Sequence, residues 1–248
     1  MQITEADRKT FEETGLLSVK GLVPKSSCAS VKRSVMAELD RLKLRTNGKI
    51  SATKIRELPL FQQTGALSQM VKLGPELEGL FSAEVFECAT SLGSWKARSA
   101  KAHAQLLLSL PQKADWSLAR LNWHLDLAVP TKNEAPGVQA FVLIDEVAPR
   151  GGATLAIAGS HRLHYLTPGE PAHAVLRRHE LFGALFDATK IESEALLTPH
   201  TIEDIPVSVY EMSGRAGDVF FMDMRVLHSP SVNASKNIRM MVTSRYVR

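Results

Sequence analysis

Cysteine is scarce: Cys28 and Cys88 are the only two in 248 residues. Thiols so far apart give neither a disulfide framework nor the close ligand pairs of a zinc site. A reduced, cytoplasmic protein is therefore expected. Aromatics make up only 6% of residues, and no basic stripe is interleaved with them, which argues against nucleic acid as partner or substrate. Long apolar runs are missing as well. Ala140–Ile144 and Leu155–Ala158 are the longest, far short of the ~18 residues that suggest a bilayer span, so no membrane partner is expected. Met1–Arg8 lacks the basic start and apolar stretch of a secretory signal. No internal repeat or low-complexity tract occurs, which excludes collagen-like and wholly disordered chains.

What is present has globular proportions, with 44% hydrophobic and 23% charged residues. All-β domains often reach this length as one unit, so a single domain over 1–248 is expected. The net charge is +4, unevenly spread: residues 1–60 carry 12 Lys/Arg against 7 Asp/Glu, and 161–206 carry 4 against 7. The N-terminal basic residues alternate with acids along helical stretches and read as a solvated face.

Residues 1–100 read as a mostly helical flank. Thr4 and Asp7 form a helix-start signal before Arg8–Thr14, Gly15 closes the helix, and Leu16–Lys20 reads as a strand. Ser27 is placed to cap a second helix bearing Val31, Val35, Leu39 and Leu42 at helical spacing. Asn47-Gly48 marks a turn, and helical patches follow over Ala66–Leu73 and Pro75–Leu92. From about Ala102 the period changes. Gln105–Leu110, Ala119–Leu127, Val138–Glu146, Thr154–Ala158, Pro206–Met212, Asp218–Met222 and Ile238–Tyr246 are short apolar and β-branched runs between Pro, Gly and Asn clusters. Such a series predicts an antiparallel sandwich or barrel over 102–248. The stretch 162–204 interrupts it and is expected to be either a lid or an insertion packed outside the barrel.

Asn122-Trp-His-Leu-Asp126 carries the first chemistry. On a strand, Asn122, His124 and Asp126 share one face. An imidazole and a carboxylate so placed can flank a metal, and one more histidine would complete a 2-His-1-carboxylate triad. His228, after the strand-like Gly217–Met222, is the candidate. Arg239 lies in the next apolar run and can fork onto a carboxylate in a way lysine does not reproduce.

The chain resembles the phytanoyl-CoA dioxygenase family of Fe(II)/2-oxoglutarate-dependent oxygenases. The resemblance rests on Ile3-Thr-Glu through Phe11 to Val23, Trp123-His-Leu-Asp126, Gly151–Arg162 with its Gly-Ser-His segment, and Gly217-Asp through His228 to Asn233 and Arg239. It implies a mainly β fold with flanking helices, built on a double-stranded β-helix (a cupin-like jelly roll). It further implies that His124, Asp126 and His228 bind iron, that Arg239 binds the distal carboxylate of 2-oxoglutarate, and that Phe141 lines the substrate pocket. Leu125, Pro230 and Ser109 depart from the family's usual Gln, Ser and basic residue, and Gln105 or Asn122 would then take over co-substrate contacts. Asp126 argues against halogenation, which needs a small residue there.

The implied activity is hydroxylation of a small-molecule substrate using Fe(II), 2-oxoglutarate and O2, with desaturation or cyclisation as variants, by a monomer or homodimer. A non-catalytic jelly roll that binds or senses a ligand is the competing class. His161, His164, Trp116 and Trp123 are expected to be structural. Arg150, Arg177 and Arg178 are candidates to meet an anionic substrate, although the acidic balance around the latter two favours a polar or amine-bearing one.

Overall fold

The computed structural model describes residues 2–93, 98–99, 104–126, 136–164, 166, 169–187 and 191–247. The helical flank starts as predicted. α1 (Glu5–Thr14) opens on a capping box in which Thr4 Oγ1 accepts from the Asp7 N–H and Asp7 accepts from the Thr4 N–H. Gly15, at φ 74°, turns the chain into β1 (Leu16–Val19). α2 (Lys25–Arg41) buries Cys28, Val31, Val35 and Leu39 on one face. It starts behind Pro24 rather than at Ser27, which sits in the first turn with its N–H bonded to the Pro24 carbonyl.

Asn47 and Gly48, both at positive φ, close the hairpin of β2 (Arg45–Thr46) and β3 (Lys49–Ile50). α3 (Thr53–Arg56) and α4 (Leu60–Met70) follow. The predicted Ala66–Leu73 helix thus begins earlier, behind Pro59, and stops before Gly74. The predicted Pro75–Leu92 helix is broken at Phe81 into a 3-10 turn (Glu78–Leu80) and α5 (Ala83–Gly93).

The strands are β4 (Arg98–Ser99), β5 (Gln105–Ser109), β6 (Gly137–Leu143), β7 (Thr154–Ala158), β8 (His200–Ile202), β9 (Ile205–Glu211), β10 (Val219–Asp223), β11 (His228–Pro230) and β12 (Arg239–Val247). One sheet runs β1-β10-β6-β12, with β5 and β4 both on the far edge of β12; the other runs β11-β7-β9-β8. Their pairings are antiparallel. This is the jelly roll with flanking helices that the sequence predicts.

Alternation along the strands sorts the core into three layers. Val138, Ala140, Val142, Met240, Val242, Leu106 and Leu108 pack outward against α2 and α5 through Val31, Val35, Leu39, Val85 and Ala89. Phe141, Leu143, Met241 and Leu107 face inward, toward Ala156, Ala158 and Met212 of the smaller sheet. That sheet's outer face, Leu155, Ile157, Val207 and Val209, lies under α6 (Ser160–Leu163), α7 (Ala172–Arg178), α8 (Ala184–Asp187) and α9 (Ser193–Leu196). The helices of 162–204 therefore pack on the barrel's exterior, and the end of that stretch, β8, joins the smaller sheet as its edge strand. With both faces covered, β6, β7 and β10 are buried along their whole length, which is why they read as mostly apolar runs.

No strand forms over the described part of Ala119–Leu127. Arg120 has φ 58°, and the segment joins a sheet only where His124 pairs with His228. Leu127 and the predicted boundary near Ala102 lie outside the described residues. Among the described residues no helix is long and apolar enough to cross a membrane.

Candidate functional site

His124 and His228 meet across an isolated antiparallel bridge. The His124 N–H donates to the His228 carbonyl at 3.0 Å, and the reverse bond is 3.1 Å. The two rings stand 4.4 Å apart by centroid. Asp126 lies two residues further on, with Oδ1 3.7 Å from His124 Nε2 and Oδ2 3.8 Å from His228 Nε2. One ligand atom from each of the three residues lies within 4.8 Å of the others.

Backbone carbonyls set the orientation of both rings. His124 Nδ1 is 2.8 Å from the Asn122 oxygen, and His228 Nδ1 is 3.2 Å from the Val226 oxygen. A carbonyl only accepts, so each Nδ1 carries a proton, and Nε2 is the ring nitrogen left to face a metal. Burial, reinforced by His124, pushes the His228 pKa down to about 4, so this imidazole is neutral near pH 7. Burial alone would raise Asp126, but the His228 ring, charged in the acid range where the carboxyl titrates, and the Arg245 guanidinium outweigh it and hold the carboxyl below its ordinary range. Two imidazoles with free Nε2 and one carboxylate aimed at a common point suit a divalent transition metal that keeps open positions.

Arg239, at the start of β12, is 2% exposed. Its Nε donates to the Gly152 carbonyl at 2.6 Å and Nη1 to the Leu107 carbonyl at 2.9 Å. Burial draws its pKa down to about 10, which leaves it a cation at neutral pH. Among the described residues no carboxylate pairs with it. A buried, charged fork without a counter-anion is costly to maintain and fits an anionic ligand.

Gly152 holds one end of that arginine. Its φ is +79°, and a Cβ there would lie 2.6 Å from Asn233 Cβ and 2.9 Å from Ser109 Oγ. Asn233 in turn donates to the Ser109 and Asn237 carbonyls at 3.0 and 2.8 Å. Gly152→Ala is expected to lower stability by about 1–3 kcal/mol, through backbone strain and overpacking. It should also move the carbonyl that seats Arg239. Thermal melts with and without 2-oxoglutarate check both effects; an unchanged melting temperature would contradict them.

Triad and arginine share one cavity of about 250 Å³ between the sheets. The larger sheet contributes Gln105, Leu107, Gln139, Phe141, Thr243 and Arg245 besides Arg239; Thr154, His228 and Pro230 face them. α4 adds Phe61, Thr64 and Gly65, and half-exposed Phe61 stands edge-on to His124 at 5.1 Å. Gln105 and Phe141 thus reach the wall, as the sequence suggests. Asn122 does not: its side chain is exposed, off the cavity wall, and it serves through its carbonyl. The strand that would have turned it inward is absent.

The remaining candidates lie elsewhere. His161 Nε2 bonds the Glu12 carbonyl at 3.0 Å and His164 Nε2 the Arg225 carbonyl at 2.9 Å, both structural contacts. Arg150 pairs with Glu194, Arg177 with Asp187 and Arg178 with Glu170. No described residue of 162–204 is on the cavity wall, so the acidity of that stretch gives no reading of the substrate. Arg245 was missed by sequence reasoning, although it shares the face of Arg239 on β12. Phe61, Thr64 and Gly65 were missed as well; they mark one face of α4 by helical spacing but carry no motif.

Other proteins share this frame. The carbocyclase SnoK from nogalamycin biosynthesis superposes with a TM-score of 0.58 at 16% identity, covering 99% of this chain and 84% of that one. HygX from Streptomyces hygroscopicus, crystallised with nickel and 2-oxoglutarate, gives 0.59 at 15%, covering 99% and 87%. The epimerase SnoN, from nogalamycin biosynthesis, gives 0.58 at 18%, covering 98% and 81%. No curated protein sequence matches the chain. The family model for phytanoyl-CoA dioxygenase matches residues 11–241, a span that includes both histidines, Asp126 and Arg239. A match over that much of the chain decides the question of kinship: the protein belongs to the phytanoyl-CoA dioxygenase family.

Proposed function

We propose that the protein is an Fe(II)- and 2-oxoglutarate-dependent oxygenase that hydroxylates an unactivated C–H of a small molecule, releasing succinate and CO2. One observation carries the reading: a single cavity holds His124, Asp126 and His228 together with the buried Arg239, which meets no carboxylate among the described residues. A dicarboxylic 2-oxo acid suits both parts, with its oxo-acid end at a metal and its distal carboxylate on the guanidinium. HygX, which shares the fold, was crystallised with nickel and 2-oxoglutarate, and this supports the same pair of ligands here.

Iron with 2-oxoglutarate and O2 supplies the oxidising power, coupling decarboxylation to oxidation of the substrate. The chain binds, orients and excludes water. His124 and His228 present Nε2 because the Asn122 and Val226 carbonyls hold their Nδ1 protons. Arg239 would receive the distal carboxylate through the guanidinium N–H groups that the Gly152 and Leu107 carbonyls leave free. Leu107, Phe141 and Phe61 form the apolar part of the wall, which limits water at the reacting carbon. The two buried free cysteines support a reducing, cytoplasmic setting.

Ring closure is the second outcome to test, since a carbocyclase shares the fold. Hydroxylation adds one oxygen to the product, whereas ring closure removes two hydrogens, so product mass separates them. The class itself is tested by incubating protein with Fe(II), 2-oxoglutarate and O2 and measuring succinate. Slow formation that disappears in His124→Ala is expected. Equal succinate from wild type and variant would overturn the assignment, and a non-catalytic binding module would form none.

A further inference from the structure

The three proposed metal ligands are held in different ways. A β-bridge fixes the backbones of His124 and His228, and carbonyls fix their rings. Asp126 sits on a bend beyond that bridge, in no strand. Its carboxylate is held by a side chain from the opposing sheet: Arg245 of β12 donates Nε and Nη2 to it at 3.0 and 2.5 Å. Both bonds fall on Oδ2. Among the described residues Oδ1 accepts no hydrogen bond, and it is the oxygen 3.7 Å from His124 Nε2.

We infer that Arg245 is the positioning residue of the metal centre, holding Oδ2 of Asp126 so that the carboxylate meets the metal through Oδ1 alone. The inference rests on the function proposed above. A carboxylate that chelated through both oxygens would occupy a coordination position that 2-oxoglutarate or O2 needs. Arg245 prevents this by engaging one oxygen from a rigid base. It stands opposite Gln139 in the β6–β12 register. Gln139 donates to Thr243 Oγ1 at 3.0 Å, and Thr243 donates to the Ala140 carbonyl at 2.9 Å, bracing the same face. An anchor for a substrate carboxylate is the other use of a cavity arginine, but the charge of Arg245 is already paired with Asp126, whereas Arg239 meets no described carboxylate. Arg245 also lies beyond residues 11–241, the part matched by the family model.

The test is Co(II) binding to metal-free protein, followed by calorimetry and by Co(II) ligand-field absorption, with no substrate present. Arg245→Met is expected to weaken Co(II) about 10–100-fold, the usual loss when a ligand's outer partner is removed. Its absorption should change as Asp126 becomes free to chelate. Arg245→Lys, with charge but no fork, should recover part of the affinity, and it carries the test if the methionine variant does not fold by circular dichroism. In an Asp126→Ala background, Arg245→Met should weaken Co(II) no further, because nothing remains to be held. A purely structural ion pair would shift the melting temperature and leave Co(II) affinity unmoved; that result, or tighter binding in Arg245→Met, overturns the inference. If wild-type protein binds no Co(II), the metal reading itself falls, and this inference falls with it.

Discussion

Arg239→Met is expected to raise the dissociation constant of 2-oxoglutarate by on the order of 100-fold. Truncating one partner of a buried charge pair costs about 2–5 kcal/mol, and about 1.4 kcal/mol is tenfold. Here the pair is made only when the ligand arrives, because the guanidinium is 2% exposed and no described carboxylate meets it. The unliganded variant should stay folded. Removing an uncompensated buried cation offsets the loss of bonds to the Gly152 and Leu107 carbonyls. Melting curves separate the two states. At 100 times its dissociation constant, 2-oxoglutarate should stabilise the metal-loaded wild type by about 2.7 kcal/mol. The same concentration should leave Arg239→Met nearly unchanged, and Arg239→Lys should fall between as a point charge without the fork. Equal shifts in all three would remove Arg239 from the co-substrate site.

His228→Ala has the second large effect, on the metal. Structural zinc sites with four protein ligands bind with about 10–16 kcal/mol, roughly 3 kcal/mol per donor. Losing one of three donors should therefore cost about 100-fold or more in Co(II) affinity. Iron-dependent succinate formation should disappear with it. His228 is the more telling of the two histidines because it is buried and held neutral, with its pKa at about 4. Retention of wild-type Co(II) affinity would show that the three side chains do not act as one centre.

The legible parts of the fold were those whose environment repeats along the strand. β6, β7 and β10 lie between two covered faces and so appear as mostly apolar runs. The capping box of α1 was legible because its partners are three residues apart. The segment around Trp123 is more instructive. Its alternation is real: Leu121, Trp123 and Leu125 pack with the outer cluster under α6–α9, while His124 and Asp126 reach the cavity. His124 and Asp126 therefore face the same way, although no strand forms. Asn122 failed because only the single bridge at His124 aligns the segment with the sheet.

Contacts made by tertiary packing left no such trace. Nothing in α4 announces that Phe61, Thr64 and Gly65 close one side of the cavity. β8 and β11, of three residues each, are too short to show a period. Arg245 could have been placed beside Arg239 by counting along β12, but its partner Asp126 is distant in the chain and only the folded barrel brings them together.

The central claim is that this cavity holds Fe(II) and 2-oxoglutarate at the same time. Anaerobic mixing of metal-free protein with Fe(II) and 2-oxoglutarate tests it directly, because chelation of Fe(II) by the oxo acid produces a visible charge-transfer band. A band that saturates with one equivalent of iron, is lost in His228→Ala and needs far more 2-oxoglutarate in Arg239→Met is the expected result. No band in the wild type, with no 2-oxoglutarate bound to the Fe(II)-treated protein by equilibrium dialysis, would contradict it.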